Sequence, residues 1–298
     1  MIKLTFLGTS SMVPTQDRNH TAILLSHNNE KILIDCGEGT QRQLRIAGIS
    51  PAKITRILIT HWHGDHILGL PGLLQTMRAS NYQGTLKIYG PVHSKKYLEN
   101  ILNTYLHNRT IQIEMHEIKA ASTFIKEKDF SVSASYLNHS APCLGYSFKE
   151  ADRRNINIAY TKKFGLTQHP IMKQLQSGKS IVFNGKKIDV KKATILRPGK
   201  KVTVILDTGM HANCIKLAKD SDLLVCESTY SKEHEQEAKE YKHLTSEQAA
   251  LIAKKSKSKE LILTHFSQRY KHLEELEKQA KEIFKNTKAA KDFASFEL

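Results

Sequence analysis

The sequence predicts an α/β fold, and three observations carry that reading. Short apolar strands recur along the whole chain, each running into a turn rich in Gly, Asp or His. Helical patterns fall between and after these strands rather than in a separate block. The 298 residues, 40% hydrophobic and 25% charged, have a globular rather than a disordered composition, with length for one large domain or two small ones.

Taken in order, Ile2–Leu7 is a first strand ahead of Gly8-Thr9-Ser10, and Ile32–Ile34 precedes Asp35-Cys36-Gly37. Ile57–Ile59 runs into Thr60-His61. The spacing over Ile67–Met77 predicts a helix that Pro71-Gly72 should shorten or break. Ser131–Leu137 leads to Asn138-His139, Val202–Leu206 to Asp207-Thr208-Gly209, and Leu223–Val225 to Cys226-Glu227. Thr245 with Gln248 three residues later has capping-box spacing and opens a helix to about Lys255. Leu261–Leu263 precedes Thr264-His265, and His272–Phe284 repeats apolar residues at helical spacing as the last helix. The segments Ile32–Gly37 and Val204–Gly209 echo one another, each an apolar strand ending in Asp-x-Gly, which suggests two similar halves meeting at one site.

Charge is concentrated. Lys and Arg total 45 against 29 Asp and Glu, a formal +16. The 51 residues Asp152–Val202 hold 13 of the bases and only Asp152 and Asp189 as acids, net +11, while the other 247 residues carry +5. A uniform lysine bias would not gather charge in this way, so a local feature facing phosphates is the better reading than a merely solvated face. The window lacks a long core pattern and is read as an insertion over about 152–197, projecting from a single domain of 1–298. No run approaches the roughly 18 apolar residues of a membrane span, and the N-terminal apolar run is too short for a signal peptide. The four cysteines are scattered without C-x-x-C spacing, which fits a cytoplasmic chain with free thiols and argues against a thiolate metal site.

The strongest chemical signal is His61-Trp62-His63-Gly64-Asp65-His66, directly after an apolar strand. Four of these six residues can bind metal, and neutral imidazole with carboxylate is a donor set that suits zinc and similar ions. A polar surface loop would not concentrate ligands so strongly. The cluster cannot wrap an ion alone, and parallel strands deliver their C-terminal ends to one edge. His139, Asp207 and His265 have that strand-end placement, although singly each could be an ordinary loop or turn residue. With the cluster they make five His and two Asp, enough for two metals sharing a bridging carboxylate.

This order of residues resembles the metallo-β-lactamase superfamily and, more narrowly, the short form of ribonuclease Z, the endonuclease that removes 3′ trailers from precursor tRNA. The narrower resemblance rests on Phe6–Ser10, Pro14 with Arg18-Asn19, Ile34–Glu38, Leu68–Leu73, Tyr89–Pro91, Thr245–Ala250 and Leu263–Tyr270. It implies an αββα sandwich with a protruding basic arm. It also implies two zinc ions per subunit, with manganese or another divalent ion as the alternative. His61, His63 and His139 would hold one ion, Asp65, His66 and His265 the other, and Asp207 would bridge them. Asp65 would also orient or deprotonate water, His243 would donate a proton with Glu227 orienting it, and Arg269 would clamp the scissile phosphate unless it is a plain surface ion pair. Arg18 and Asn19 would lie in the loop facing the RNA 3′ end, and Lys162, Lys163, Lys173 and Lys179 in the arm would meet tRNA phosphates. A homodimer is implied, and no protein partner can be inferred. Three departures stand out: Gln16 replaces the family's usual Lys, Cys226-Glu227-Ser228-Thr229 lacks the usual leading His, and His169-Pro170 replaces a Gly-Pro pair. A relative hydrolysing small phosphodiesters, lactones or thioesters, or an RNA-binding scaffold with a structural metal, are the competing readings.

Overall fold

The computed structural model describes residues 1–105 and 111–298, which form two compact units. The larger unit comprises Met1–Ile125, Val132–Phe148 and Lys201–Leu298. It is built on two seven-stranded sheets. In spatial order, the first runs Ser295–Glu297, Ile2–Gly8, Ala22–His27, Glu30–Ile34, Arg56–Leu58, Thr85–Gly90 and Gln112–Glu117. The second runs Thr287–Ala289, Glu260–Thr264, Leu223–Glu227, Lys201–Ile205, Leu144–Glu150, Phe130–Tyr136 and Ser122–Lys126.

Side-chain alternation explains the layering. Leu24, Leu33 and Ile57 pack with Leu44, Leu70, Leu73 and Met77 from helices Thr40–Ile46 and Leu70–Ala79. Their strand neighbours Leu25, Ile32, Ile34 and Leu58 turn the other way, toward Val132, Tyr146, Phe148, Val202 and Val204 of the second sheet. On the far side, Leu224, Cys226, Leu261 and Leu263 pack with Ala249, Ala250, Ile252, Ala253, Leu276 and Ala280 of helices Ser246–Lys255 and Glu274–Ile283. A period of two with both faces apolar is what a sheet covered on both sides requires. The result is helix, sheet, sheet, helix.

Helix Leu70–Ala79 carries Pro71 in its first turn, where the missing N–H costs nothing, so Pro71 starts this helix instead of breaking one. The expected single helix over Ile67–Met77 is therefore two, Gly64–Ile67 and Leu70–Ala79. The Thr245 hydroxyl accepts from the Gln248 N–H at 3.2 Å and the Gln248 side chain accepts from the Thr245 N–H at 3.1 Å, a complete capping box. All four cysteines are buried and free. No helix among the described residues is long and apolar enough to cross a membrane.

The smaller unit comprises Lys126–Ser131 and Lys149–Lys200. Arg153–Ile156 pairs antiparallel with Thr194–Arg197, and Ile181–Phe183 with Lys186–Ile188 through Asn184-Gly185, both at positive φ. It buries a core of its own, in which Leu166, Met172, Leu175, Ile181, Ile188 and Ala193 meet. The sequence shows no such core because its members come singly from short helices and a hairpin, with no sustained period.

Candidate metal centre

The topology gathers polar strand ends. Glu30–Ile34, Arg56–Leu58 and Thr85–Gly90 are mutually parallel, as are Lys201–Ile205, Leu223–Glu227 and Glu260–Thr264. Each parallel set delivers its C-terminal ends to one edge: Asp35 and His61 in the first sheet, Asp207, Thr229 and His265 in the second. Asp35 (φ 57°) and His265 (φ 61°) take the left-handed conformation just past their strands, a sharp turn that a non-glycine residue adopts at a cost of about 1–3 kcal/mol. The His61–His66 turn is clamped by backbone: Cys36 N–H donates to the His66 carbonyl at 2.7 Å, and Gly69 N–H to that of Cys36 at 2.9 Å. A Cβ on Gly69 would stand 2.1 Å from the Gly37 carbonyl oxygen, so only glycine permits this approach.

Two groups of donors form there. In the first, His61 Nε2 and His139 Nε2 lie 3.0 and 3.2 Å from His63 Nδ1. The far nitrogens of two of them are engaged. His139 Nδ1 donates to the Lys242 carbonyl at 3.2 Å, and His61 Nδ1 lies 3.1 Å from the Thr60 hydroxyl, whose proton goes to Asp35 at 2.7 Å. Each Nε2 is then a bare lone pair. In the second group, Asp65, His66, Asp207 and His265, all buried, present donor atoms within 4.8 Å of one another. His66 Nδ1 is held by Asp35 at 2.6 Å, which turns Nε2 inward.

Asp207 belongs to both. Its Oδ1 lies 3.2 Å from His66 Nε2 and 3.1 Å from His265 Nε2, while Oδ2 lies 3.7 Å from His61 and 3.8 Å from His139. Yet His66 Nε2, His265 Nε2 and Asp207 Oδ1 are buried without a hydrogen-bond partner. Buried polar atoms are rarely left so, and three that point at one space fit a cation among them. The donor chemistry agrees, since imidazole and carboxylate suit zinc.

Electrostatics points the same way. Burial opposes charge on His66, but Asp207, Asp65 and Asp35 outweigh it and hold its pKa well above the ordinary value. Burial likewise opposes charge on Asp207, yet His265, His66 and His61 keep it well below the usual carboxylate range, and Asp65 is lowered chiefly by His66 against the same penalty. Asp207 and Asp65 therefore stay ionised beside these imidazoles. His61 and His139 are pushed down by burial and stay neutral, the form that donates a lone pair.

Beside the second group, His243 Nδ1 donates to Glu227 Oε1 at 3.1 Å. Glu227 is fully buried and accepts from the Thr208 N–H at 2.7 Å and the Thr229 hydroxyl at 2.6 Å. Burial disfavours the charged imidazole, but the Glu227 carboxylate outweighs it and raises His243 to about 9. Glu227, His243 and His265 also lie within metal-binding distance of one another, but the Glu227 oxygens are already taken by these donors. Hydrogen bonding explains that third group.

Sequence comparison over the whole chain decides the family. A ribonuclease Z of Pyrococcus horikoshii is 42% identical over 280 residues, covering 93% of this chain and 90% of its own. One of Protochlamydia amoebophila is 38% identical over 293 residues, covering 98% and 95%. The chain belongs to the ribonuclease Z family. Human tRNase Z, short form, superposes with a TM-score of 0.73 at 28% identity over 99% of this chain and 98% of its own. The metallo-β-lactamase fold protein YhfI of Bacillus subtilis (TM-score 0.72, 18% identity, covering 99% and 98%) and a diphosphatase of the PhnP family (TM-score 0.67, 18% identity, covering 100% and 98%) are alike in fold alone. The profile of the family described as anti-Pycsar protein Apyc1 matches residues 2–195, more than half of the chain, which belongs to that wider family as well.

Other residues singled out in the sequence stand apart from the donor groups of this ribonuclease Z family member. Arg18 is buried, and its guanidinium donates to the carbonyls of Ser267 (3.2 Å) and Tyr270 (2.9 Å). In this structure it braces the loop against the segment after His265. The Asn19 side chain donates to the Glu38 carbonyl at 2.7 Å, and its backbone N–H to Asp292 at 2.8 Å. Arg269 forks onto Glu237 at 2.7 and 3.2 Å and lies 5.0 Å from the Tyr230 ring centroid, so in this conformation it makes the ion pair and not a free clamp. Lys162, Lys163, Lys173 and Lys179 are exposed on the smaller unit. Sequence reasoning gave no role at the site to Asp35 or Thr229. The signs of Asp35 were its place just past the strand Ile32–Ile34 and its echo of the Asp207 segment.

Proposed function

We propose that this chain is a metal-dependent endoribonuclease that removes the 3′ trailer of precursor tRNA, cutting on the 3′ side of the discriminator base and leaving a 3′-hydroxyl. The observation that carries it is the Asp207 carboxylate, one oxygen facing each of two imidazole groups, in a chain 38–42% identical to ribonucleases Z over nearly its full length. Two divalent ions, zinc by the donor set, would be held by His61, His63 and His139 and by Asp65, His66 and His265, with Asp207 shared. When bound, such a pair supplies a water acidic enough to ionise near neutral pH and neutralises charge on the phosphate.

The chain's own residues do the rest. Asp65, kept ionised, orients the attacking water and accepts a proton at its free oxygen. Water adds to phosphorus and the bond to the 3′ oxygen of the tRNA body breaks. That oxygen needs a proton, and His243 is built to give one. Glu227 fixes Nδ1–H and keeps the ring charged, which leaves Nε2–H for the leaving group. Lys162, Lys163, Lys173 and Lys179 would meet phosphates of the tRNA without reading sequence. Cytoplasmic location and a homodimer complete the reading, both by analogy with the family.

A trailer-bearing tRNA incubated with and without chelator tests the proposal. Cleavage near the discriminator base that chelator abolishes is the expected result. Intact RNA beside hydrolysis of a small ester would transfer the activity to small substrates.

A further inference from the structure

The Thr229 hydroxyl stands where the two halves of the chemistry meet. It lies 2.6 Å from Glu227 Oε2, 3.0 Å from His265 Nδ1, 3.1 Å from the His265 carbonyl and 3.4 Å from His243 Nδ1, and the residue is 3% exposed. A hydroxyl has one proton to give, and the shortest of these distances is to a buried carboxylate. That proton therefore goes to Glu227, because charge-assisted bonds are the shorter and stronger ones. With it committed, the oxygen can meet His265 Nδ1 only as an acceptor, so Nδ1 must carry hydrogen.

A neutral imidazole protonated at Nδ1 is bare at Nε2. In His265 that atom is buried, lacks a hydrogen-bond partner, and faces Asp207 Oδ1 at 3.1 Å and Asp65 Oδ2 at 3.6 Å. The opposite tautomer would leave Nδ1 and the hydroxyl with one proton too few between them and Glu227. Glu227 is meanwhile anchored on its other oxygen by the Thr208 N–H and His243 Nδ1. One chain of donors thus runs from His265 through Thr229 to Glu227 and meets His243 there.

We propose that Thr229 is a positioning residue that sets the tautomer of His265, making its Nε2 a metal donor, and at the same time fixes the carboxylate that orients His243. This rests on the metal centre proposed above but adds to it a requirement: the hydroxyl itself, not the shape of the side chain, is needed.

Thr229→Val keeps the shape and removes the hydroxyl, while Thr229→Ser keeps the hydroxyl and removes the methyl. Zinc retained by full-length protein against a graded chelator, read by elemental analysis, should show Thr229→Val binding about 10–100-fold more weakly. Thr229→Ser should stay near wild type. With zinc in excess, Thr229→Val should lower kcat for trailer removal while leaving KM for the RNA unchanged. Zinc affinity in Thr229→Val within about twofold of wild type would overturn the proposal, and so would equal losses in Val and Ser. If the Val variant does not fold, nitrogen-15 imidazole spectra of the wild-type zinc protein decide. Nδ1–H with a hydrogen-free, zinc-bound Nε2 at His265 supports the assignment, and the opposite tautomer ends it. Wild-type protein that takes up no zinc would instead remove the metal reading itself, a result distinct from either variant's behaviour.

Discussion

The strand-end centre and the smaller unit use polar residues in opposite ways. At the centre Asp35 and Glu227 are fully buried and Asp207 is nearly so; Asp35 holds His66 at 2.6 Å, Glu227 accepts from the Thr208 N–H at 2.7 Å, and Asp207 faces His265 at 3.1 Å. In the smaller unit the lysines are exposed around a six-residue apolar core. A buried carboxylate costs several kcal/mol unless it is paired, so its position is dictated by geometry and one misplaced atom is costly. An exposed lysine acts through its contribution to a field, and its place matters less than the total charge. The centre should therefore break abruptly under single substitutions, and the basic unit should fade by degrees.

The abrupt side is sharpest at Asp207. Asp207→Asn removes the one charge that faces both imidazole groups. Turnover should fall about a thousandfold or more, since several kcal/mol of charge stabilisation is at stake at 1.36 kcal/mol per decade. Elemental analysis should show depleted metal in the same samples. Retained metal with retained activity would place the bridge elsewhere.

His243→Ala comes next. It should slow cleavage about 10²–10⁴-fold with metal content unchanged, which separates a proton donor from a ligand. The pH profile sharpens this. Glu227 raises His243, so the acid is present below its raised value and is lost as pH climbs through about 9. In Glu227→Gln the raising charge is gone, and the alkaline limb of kcat should move to lower pH. An unmoved limb would assign that limb to another group.

The same contrast explains what could be read from the sequence. The donor positions were legible because parallel strands impose a rule: a residue just past an apolar strand goes to a shared edge, and His61, Asp207 and His265 all obey it. Asp35 obeys it too, but its part is to hold His66 Nδ1, and nothing in a sequence separates an Asp that faces a metal from one that faces its ligand. The role of Thr229 was illegible for the same reason, since its value lies in hydrogen bonds that only the fold brings within reach. Arg18 was placed facing the RNA 3′ end by the family resemblance alone; its burial depends on the carbonyls of Ser267 and Tyr270, 249 and 252 residues away, which no local pattern shows. The apolar core of the smaller unit was hidden among its bases because Leu166, Met172 and Ile181 lie on three short elements without a common period.

On the gradual side, exchanging Lys162, Lys163, Lys173 and Lys179 for Ala should raise KM for precursor tRNA about tenfold and leave hydrolysis of a small chromogenic phosphodiester unchanged. The dependence of log affinity on log salt should flatten by roughly 0.7–0.9 for each phosphate that no longer meets a cation. Single exchanges should each give a fraction of that effect. A single lysine responsible for the whole loss would mean that the unit holds a defined pocket and not a diffuse field.

The smallest effect is expected at Arg269, which lies between the two regimes. Its fork on Glu237 is exposed, side chains 35% and 40% accessible, and pairs of this kind add little to stability. Glu237→Gln should shift the melting temperature by about 2 °C or less. The guanidinium also lies over Tyr230, whose ring centroid is 6.1 Å from that of His243, so it stands one ring away from His243. If it reaches phosphate from there, Arg269→Ala should lower kcat/KM for RNA about three- to tenfold, the size expected for one exposed charge pairing, and Glu237→Gln should not, because the ring still holds the cation. If Arg269→Ala and Glu237→Gln both leave cleavage intact, the pair belongs to the surface and the phosphate is held by the centre and the basic unit alone.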